Sequence, residues 1–271
     1  MIVIVGKAFF RPGVVVVGIR ATFSVYRATA LLYGAKFVSV SESEEKVPLE
    51  AYLRALTPKT RAVFLCNPNN PTGAYYTERE VLEFLEKVPS NVLVFIDEAY
   101  SEFATASDYP QLVPQLSKFP NLMLNRTFSK IYGLAGLRIG YAFASEEVIR
   151  AMWKVKPPFD VNLAAQAAAV AALSDEEHLR RTLEMNARGI RELSEAFSVL
   201  GFQVLPTQAN FLCIRIGEKC ADLVKFLERN GMIIRYLKSF GLPEWVRVTV
   251  GKPEENALLV ELVKKWKALN V

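Results

Sequence analysis

A single histidine and three cysteines in 271 residues leave little room for metal chemistry. One histidine argues against a histidine-based zinc site. Cys66, Cys213 and Cys220 are irregularly spaced and form no CxxC pair. They read as three reduced thiols of a cytoplasmic protein. His178 lies in the polar run SDEEHLRR. It is expected on a helix surface rather than as a lone acid–base group. No stretch reaches the roughly 18 uncharged apolar residues of a membrane helix. MIVIV at the start is interrupted by Lys7 and Arg11. It lacks the basic lead and small-residue cleavage site of a signal peptide. Blocks of one charge are missing too. The 33 Lys and Arg and 28 Asp and Glu are interspersed, giving a net charge of +5. That balance mildly suits an anionic ligand and shows no basic stripe for nucleic acid. There is no internal repeat and no low-complexity segment.

What is present is an ordinary globular composition, 51% hydrophobic and 23% charged, in a chain long enough to bury a large core. Short apolar runs alternate with amphipathic segments. Residues 14–19, 36–41, 62–66, 92–97, 122–127 and 139–144 read as strands, mostly apolar on both faces. SVYRATALLYG, PLEAYLRAL and TEREVLEFLEKV read as the helices between them. This alternation predicts an α/β fold with a mostly parallel sheet. From Leu163 the texture changes. LAAQAAAVAAL and EEHLRRTLEMNARGIRELSEAFSVL are helical, and short strands and two more helices follow. The expected division is a large α/β domain over 1–173 and a smaller carboxyl-terminal α/β domain over 174–271.

Three segments hold groups suited to chemistry. CNPNNPTG (66–73) makes a rigid turn straight after a strand, where α/β folds bind ligands. FIDEAYSEF ends a strand on Asp97, with Tyr100 three residues on. A buried carboxylate there needs a partner, although a helix cap is an alternative. NRTFSKIYGLAGLRIGYA packs Thr127, Ser129, Lys130 and Arg138 into a glycine-rich apolar loop. Small hydroxyls beside an arginine suit a phosphate, and a lysine in such a loop suits an amine nucleophile. Together these groups match the needs of pyridoxal 5'-phosphate. Lys130 supplies the amine, Asp97 the acid for the pyridine nitrogen, and Asn70 and Tyr100 the donors to the ring oxygen. Thr127, Ser129 and Arg138 make a phosphate clamp, and Phe23 an aromatic face for the ring.

NPNNPTG, DEAY and TFSKIYGLAGLRIGY resemble the fold type I pyridoxal-phosphate aminotransferases of class I and II. GMIIRYLKSFGLPEWVRVTVG, ATFSVYRATALLYGAKFVSV and QANFLCIRI are similar to the histidinol-phosphate aminotransferase branch. The resemblance covers nearly the whole chain. It implies that Lys130 bonds the cofactor covalently and shuttles a proton, with Asp97 and Tyr100 as further catalytic groups. It also implies that Arg235 and Arg247 bind the anionic end of the substrate. Phe23 stands where the family usually has Tyr. The implied reaction exchanges an amino group between L-histidinol phosphate and 2-oxoglutarate or glutamate, in histidine biosynthesis, by a homodimer. The alternatives are an aromatic aminotransferase, a threonine-phosphate decarboxylase, or an inactive chain that still pairs with partner subunits.

One departure accompanies the resemblance. Family members are longer at the amino end by some tens of residues. That part carries an arm with a substrate-contacting Tyr and a glycine-rich turn whose amides bind phosphate at a helix N-terminus. Met1 is expected to fall just inside that helix, so the chain reads as truncated there. RATFSVY also replaces the family's usual Pro-Pro-Thr-Tyr.

Overall fold

The computed structural model describes residues 1–40 and 45–269. Its first sheet has six strands: β1 (Val15–Ile19), β2 (Lys36–Val40), β3 (Thr60–Cys66), β4 (Leu93–Asp97), β5 (Leu122–Thr127) and β6 (Gly140–Ala144). Their order is β2-β1-β3-β4-β5-β6, and all neighbours are parallel except β5 and β6. The expected parallel sheet therefore carries one antiparallel edge. The six strand segments lie where the apolar runs predicted them, although Ser41 is outside the described residues.

Double-sided burial holds for the central strands. Side chains alternate between two clusters along β1, β3 and β4: Val17, Val63, Leu65, Val94 and Ile96 face one, and Val16, Phe64 and Phe95 the other. That is the period-2 geometry of a strand covered on both faces. The first face is covered by α3 (Leu49–Arg54) and α4 (Glu78–Lys87). The second is covered by α1 (Ile2–Phe9), α2 (Val25–Leu32) and α5 (Glu146–Trp153). The edge strands β2 and β6 are partly exposed instead, because only one neighbour shields each. The sequence reading did not single out α5.

After α6 (Leu163–Leu173) and the long α7 (Glu176–Val199), four strands form a second, antiparallel sheet. These are β7 (Gln203–Val204), β8 (Phe211–Arg215), β9 (Arg235–Tyr236) and β10 (Trp245–Thr249), in the order β7-β8-β10-β9. With α7 they are joined by α8 (Cys220–Arg229) and α9 (Pro253–Leu269) around one core, to which Leu212, Ile214, Val246 and Val248 contribute. Strand alternation then turns Phe211, Cys213, Trp245 and Arg247 to the other face. That face looks toward the first sheet, as Ala21 packs there with Cys213, Leu242 and Trp245.

The two sheets meet at the turn after β3. Gly73 accepts a hydrogen bond from the Gln208 N–H (3.0 Å), and the Gln208 side chain accepts from Thr105 and Ala106 N–H. Gly73 has φ +78°, and a Cβ there would lie 2.2 Å from Thr207 Oγ1. Gly73→Ala is thus expected to lower stability by about 2–4 kcal/mol, from the left-handed backbone and the clash together. In a Thr207→Gly background, which removes the Oγ1 contact, the same Gly73→Ala change should cost less, about 1–2 kcal/mol. Urea midpoints of both single variants and the double variant check this; an equal cost of Gly73→Ala in the two backgrounds would refute the clash.

Candidate active site

Parallel strands bring the carboxyl ends of β1, β3, β4 and β5 to one edge of the sheet, where α/β folds collect ligands. Register decides which residues meet there. Cys66 pairs with Asp97, and Asp97 with Asn125. Asp97 is therefore central, and it is 4% exposed. Its carboxylate accepts from Tyr26 Oη at 2.6 Å and from Asn125 Nδ2 at 2.9 Å. The Ala99 N–H also donates to it. It begins no helix, since the next helical turn is Ser101–Phe103 with Tyr100 at its N-cap position. Burial raises the Asp97 pKa; the hydrogen bonds from Tyr26 and Asn125 and the charge of Lys130 pull against that rise. A carboxylate so placed is stabilised by a cation.

The sequence reading missed Tyr26 and Asn125. Tyr26 carries the weak signal of standing one helical turn after Phe23, but a tyrosine on an apolar helix face reads as core. It does stack on Phe64, with centroids 4.7 Å apart. Asn125 becomes visible only through the β4–β5 register. Cys66, at the end of β3, is pushed up to about 12 by burial and then by Asp97. It is a neutral thiol that donates to the Pro68 carbonyl.

Lys130 sits in the turn after β5, with its ammonium 5.1 Å from the centre of the Tyr100 ring. Its pKa is lowered, first by desolvation and then by the charge of Arg247. Tyr100 packs edge-on to Phe211. Burial raises the pKa of its phenol, so the hydroxyl stays protonated and free to donate. Phe23 makes an edge contact with Tyr26, 5.6 Å between centroids, and lines the same end of the sheet.

Asn70 and Arg247 join the two sheets. The Asn70 carbonyl oxygen accepts from Arg247 Nη1 at 2.6 Å, which leaves the amide N–H groups without a partner among the described residues. Arg247 lies over the Phe211 ring at 5.0 Å, and its Nε is buried without a partner. Desolvation lowers its pKa, and Arg235 lowers it further. Arg235 is its cross-strand partner on β9, so the two guanidiniums share a face.

Thr127 and Ser129 adjoin Lys130. Thr127 Oγ1 accepts from the Ser129 N–H at 3.1 Å. Arg138 has φ 58°, and its guanidinium donates to the Ala135 carbonyl at 2.7 Å. It is exposed but within electrostatic reach of Lys130. Met1, at the start of α1, is within such reach of both Asp97 and Arg138, and the first turn of α1 has no side-chain cap. His178 is on the exposed first turn of α7, as expected, and its ring Nε2 lies 2.9 Å from the Ile131 carbonyl.

Contacts thus tie Lys130 to Tyr100, and Asn70 to Arg247 with Arg235 beside it on the facing sheet, while Thr127 and Ser129 adjoin Lys130 in the chain and Arg138 is exposed with its guanidinium on Ala135. The set fits pyridoxal phosphate on three features: a buried carboxylate with no ion pair, unpartnered donors on Asn70 and Tyr100, and a depressed lysine. Because the hydrogen bonds from Tyr26 and Asn125 oppose the rise that burial imposes on Asp97, Tyr26→Phe is expected to move its titration to still higher pH. Carbon-13 carboxyl NMR across the acid range checks this. An unmoved Asp97 resonance would show that the 2.6 Å contact carries no charge stabilisation.

Comparison with known proteins bears on the same residues. The chain matches the family described as Aminotransferase class I and II over residues 1–263. It is 43% identical to a histidinol-phosphate aminotransferase of Geobacillus sp. (strain WCH70), over 95% of this chain and 70% of that protein. It is 42% identical to histidinol-phosphate aminotransferase 2 of Ralstonia nicotianae, over 94% of this chain and 69% of that protein. The crystal structure of histidinol-phosphate aminotransferase from Sinorhizobium meliloti in complex with pyridoxal-5'-phosphate superposes with a TM-score of 0.90 at 27% identity. The match covers 98% of this chain and 74% of that one. On the extent of the family match and the identity to these relatives, the chain belongs to the class I and II aminotransferases.

Proposed function

We propose that this chain transfers an amino group from L-histidinol phosphate to 2-oxoglutarate, with pyridoxal 5'-phosphate as cofactor. The observation that carries the reading is the line from Asp97 through Lys130 and Arg247 to Arg235, one buried acid, one depressed amine and two guanidiniums. Relatives at 43% and 42% identity bearing the histidinol-phosphate aminotransferase name support it.

Pyridoxal phosphate, when bound, supplies an electron sink for charge developing at the substrate α-carbon. The chain's own groups do the rest. Asp97 holds a proton on the ring nitrogen by its negative charge. The Asn70 amide and Tyr100 hydroxyl donate to the ring oxygen, and Phe23 covers one ring face. Thr127, Ser129 and Arg138 hold the phosphate. Lys130 anchors the cofactor and moves the proton at the α-carbon; its depressed pKa keeps more of the amine neutral for that task. Arg247 and Arg235 bind the anionic end of each substrate in turn. Residues 1–173 and 174–271 form the two domains whose seam holds this site. A second copy of the chain is the natural cover for α6, where Leu163, Val170 and Leu173 are exposed.

The test follows the two half-reactions separately. The unmutated protein should convert histidinol phosphate far better than unphosphorylated amino donors; equal handling would return the reading to an aminotransferase of another substrate. Lys130→Ala should abolish the cofactor's covalent attachment and nearly all turnover. Asp97→Asn should lower the rate by more than about tenfold, or roughly 1.4 kcal/mol of barrier, while cofactor is still bound. A smaller loss would reduce Asp97 to a structural residue.

Arg247 and Arg235 separate by pH. The charge of Arg247 helps keep the Lys130 pKa down, so Arg247→Ala should move the titration of the Lys130 amine in the cofactor-free chain to higher pH and raise KM in the loaded enzyme. Arg235→Ala should raise KM and leave that titration nearly in place. Identical profiles for the two variants would contradict the electrostatic link between Arg247 and Lys130.

A further inference from the structure

Arg20 follows the last residue of β1 at the edge that carries Asn70, Asp97 and Lys130. Its guanidinium lies across the seam against the turn after β9. A Cβ on Gly241 would be 2.4 Å from Arg20 Nε and 2.7 Å from Cζ, so the guanidinium rests on the bare Cα of that glycine. The preceding residue, Phe240, carries the Arg235 guanidinium over its ring at 5.6 Å. Two guanidiniums thus flank one dipeptide.

Neither has a carboxylate partner among the described residues, whereas Arg126, Arg150, Arg180, Arg188 and Arg215 all do. Nor is Arg20 on a loose loop. Asn69 Nδ2 donates to the Ala21 carbonyl at 3.0 Å, and Ala21 packs into the apolar cluster under the second sheet. Two exposed guanidiniums held against one dipeptide, each without a carboxylate partner among the described residues, offer an anion a joint set of donors. Arg247 spends Nη1 on Asn70 and so has fewer donors left for an anion than a free guanidinium has.

Resting on the reading above, we propose that Arg20 is a further substrate contact. With Arg235 it forms a two-guanidinium seat for the distal phosphate of a phosphate monoester, beyond Arg247. A dianionic group with three acceptor oxygens matches two planar forks better than one. Arg20 would then contribute to the choice of a phosphorylated donor over an unphosphorylated one.

Calorimetric titration of the whole chain with inorganic phosphate, L-histidinol phosphate and L-histidinol tests this. Arg20→Gln should weaken both phosphate-bearing ligands by about tenfold or more, as loss of charge-assisted bonds does, and leave L-histidinol unchanged. Arg20→Lys, which keeps the charge but loses the fork, should fall between. If Arg20→Gln does not unfold cooperatively on heating, Arg20→Lys carries the comparison, and a phosphate-selective loss still supports the seat. Unchanged affinities, or equal losses for L-histidinol and its phosphate, would overturn it, the second making Arg20 a seam contact only. Arg20-dependent phosphate binding without turnover would sink the proposed reaction but not the seat. Turnover of histidinol phosphate indifferent to Arg20 would do the reverse.

Discussion

A single carboxylate, buried among aromatic rings, is the constraint around which this end of the molecule is built. Asp97 is at the end of the central strand β4, with almost no access to solvent. Burying a charge there without partners would shift it to its neutral form. Two donors from different elements oppose this, Tyr26 from α2 and Asn125 from β5. Both can reach only if α2 lies flat on the sheet and β4 and β5 keep their register. The Tyr26 ring stacks on Phe64 of β3 and meets Phe95 of β4 edge-on, so the packing that forms the core also aims the phenol. Core and chemistry are here one set of contacts.

A second constraint joins the sheets. Arg247 has core valines on both sides of it along β10, and strand alternation leaves its side chain only the opposite face. From there it reaches Asn70, 177 residues away in sequence, at 2.6 Å. Gln208 and Thr207 clamp the neighbouring turn from the same side. The position of Asn70 is thus fixed from both sheets, and the orientation of its amide is fixed by the donor that its oxygen accepts. Arginine has no acceptor to offer, so the amide nitrogen must turn away from it.

Much of this was legible in the sequence because it depends on short-range pattern. The strand segments of the first sheet follow from apolar runs bounded by turns. The groups at 66–73, 97–100 and 127–138 are contiguous and directly follow those strands, so topology alone collects them. Long-range register was not legible. Nothing near Asp97 in sequence points to Tyr26, 71 residues away, or to Asn125, 28 residues away. Nor does local pattern reveal that β6 runs antiparallel, because an apolar edge strand has the same composition in either direction. Arg20 reads as an ordinary strand-end charge until the second sheet brings Gly241 against it. The large-domain and small-domain boundaries rest on the change of texture near Leu163 and remain part of the proposal.

The same geometry couples substrate to cofactor in the proposed reaction. Arg247 touches Asn70 directly, and its charge also bears on Lys130. An anion that binds Arg247 neutralises part of that charge. The Lys130 pKa then rises, and the amine holds a proton more readily. The group that recognises the substrate therefore helps set the state of the group that moves its proton. The seat at Arg20 and Arg235 lies one step farther from Lys130, since Arg235 acts on Arg247 rather than on the lysine. Charge at the distal seat can therefore select the ligand while leaving the proton equilibrium at Lys130 largely alone. Selection and proton transfer are separated by one arginine, and Arg247 is the residue that belongs to both.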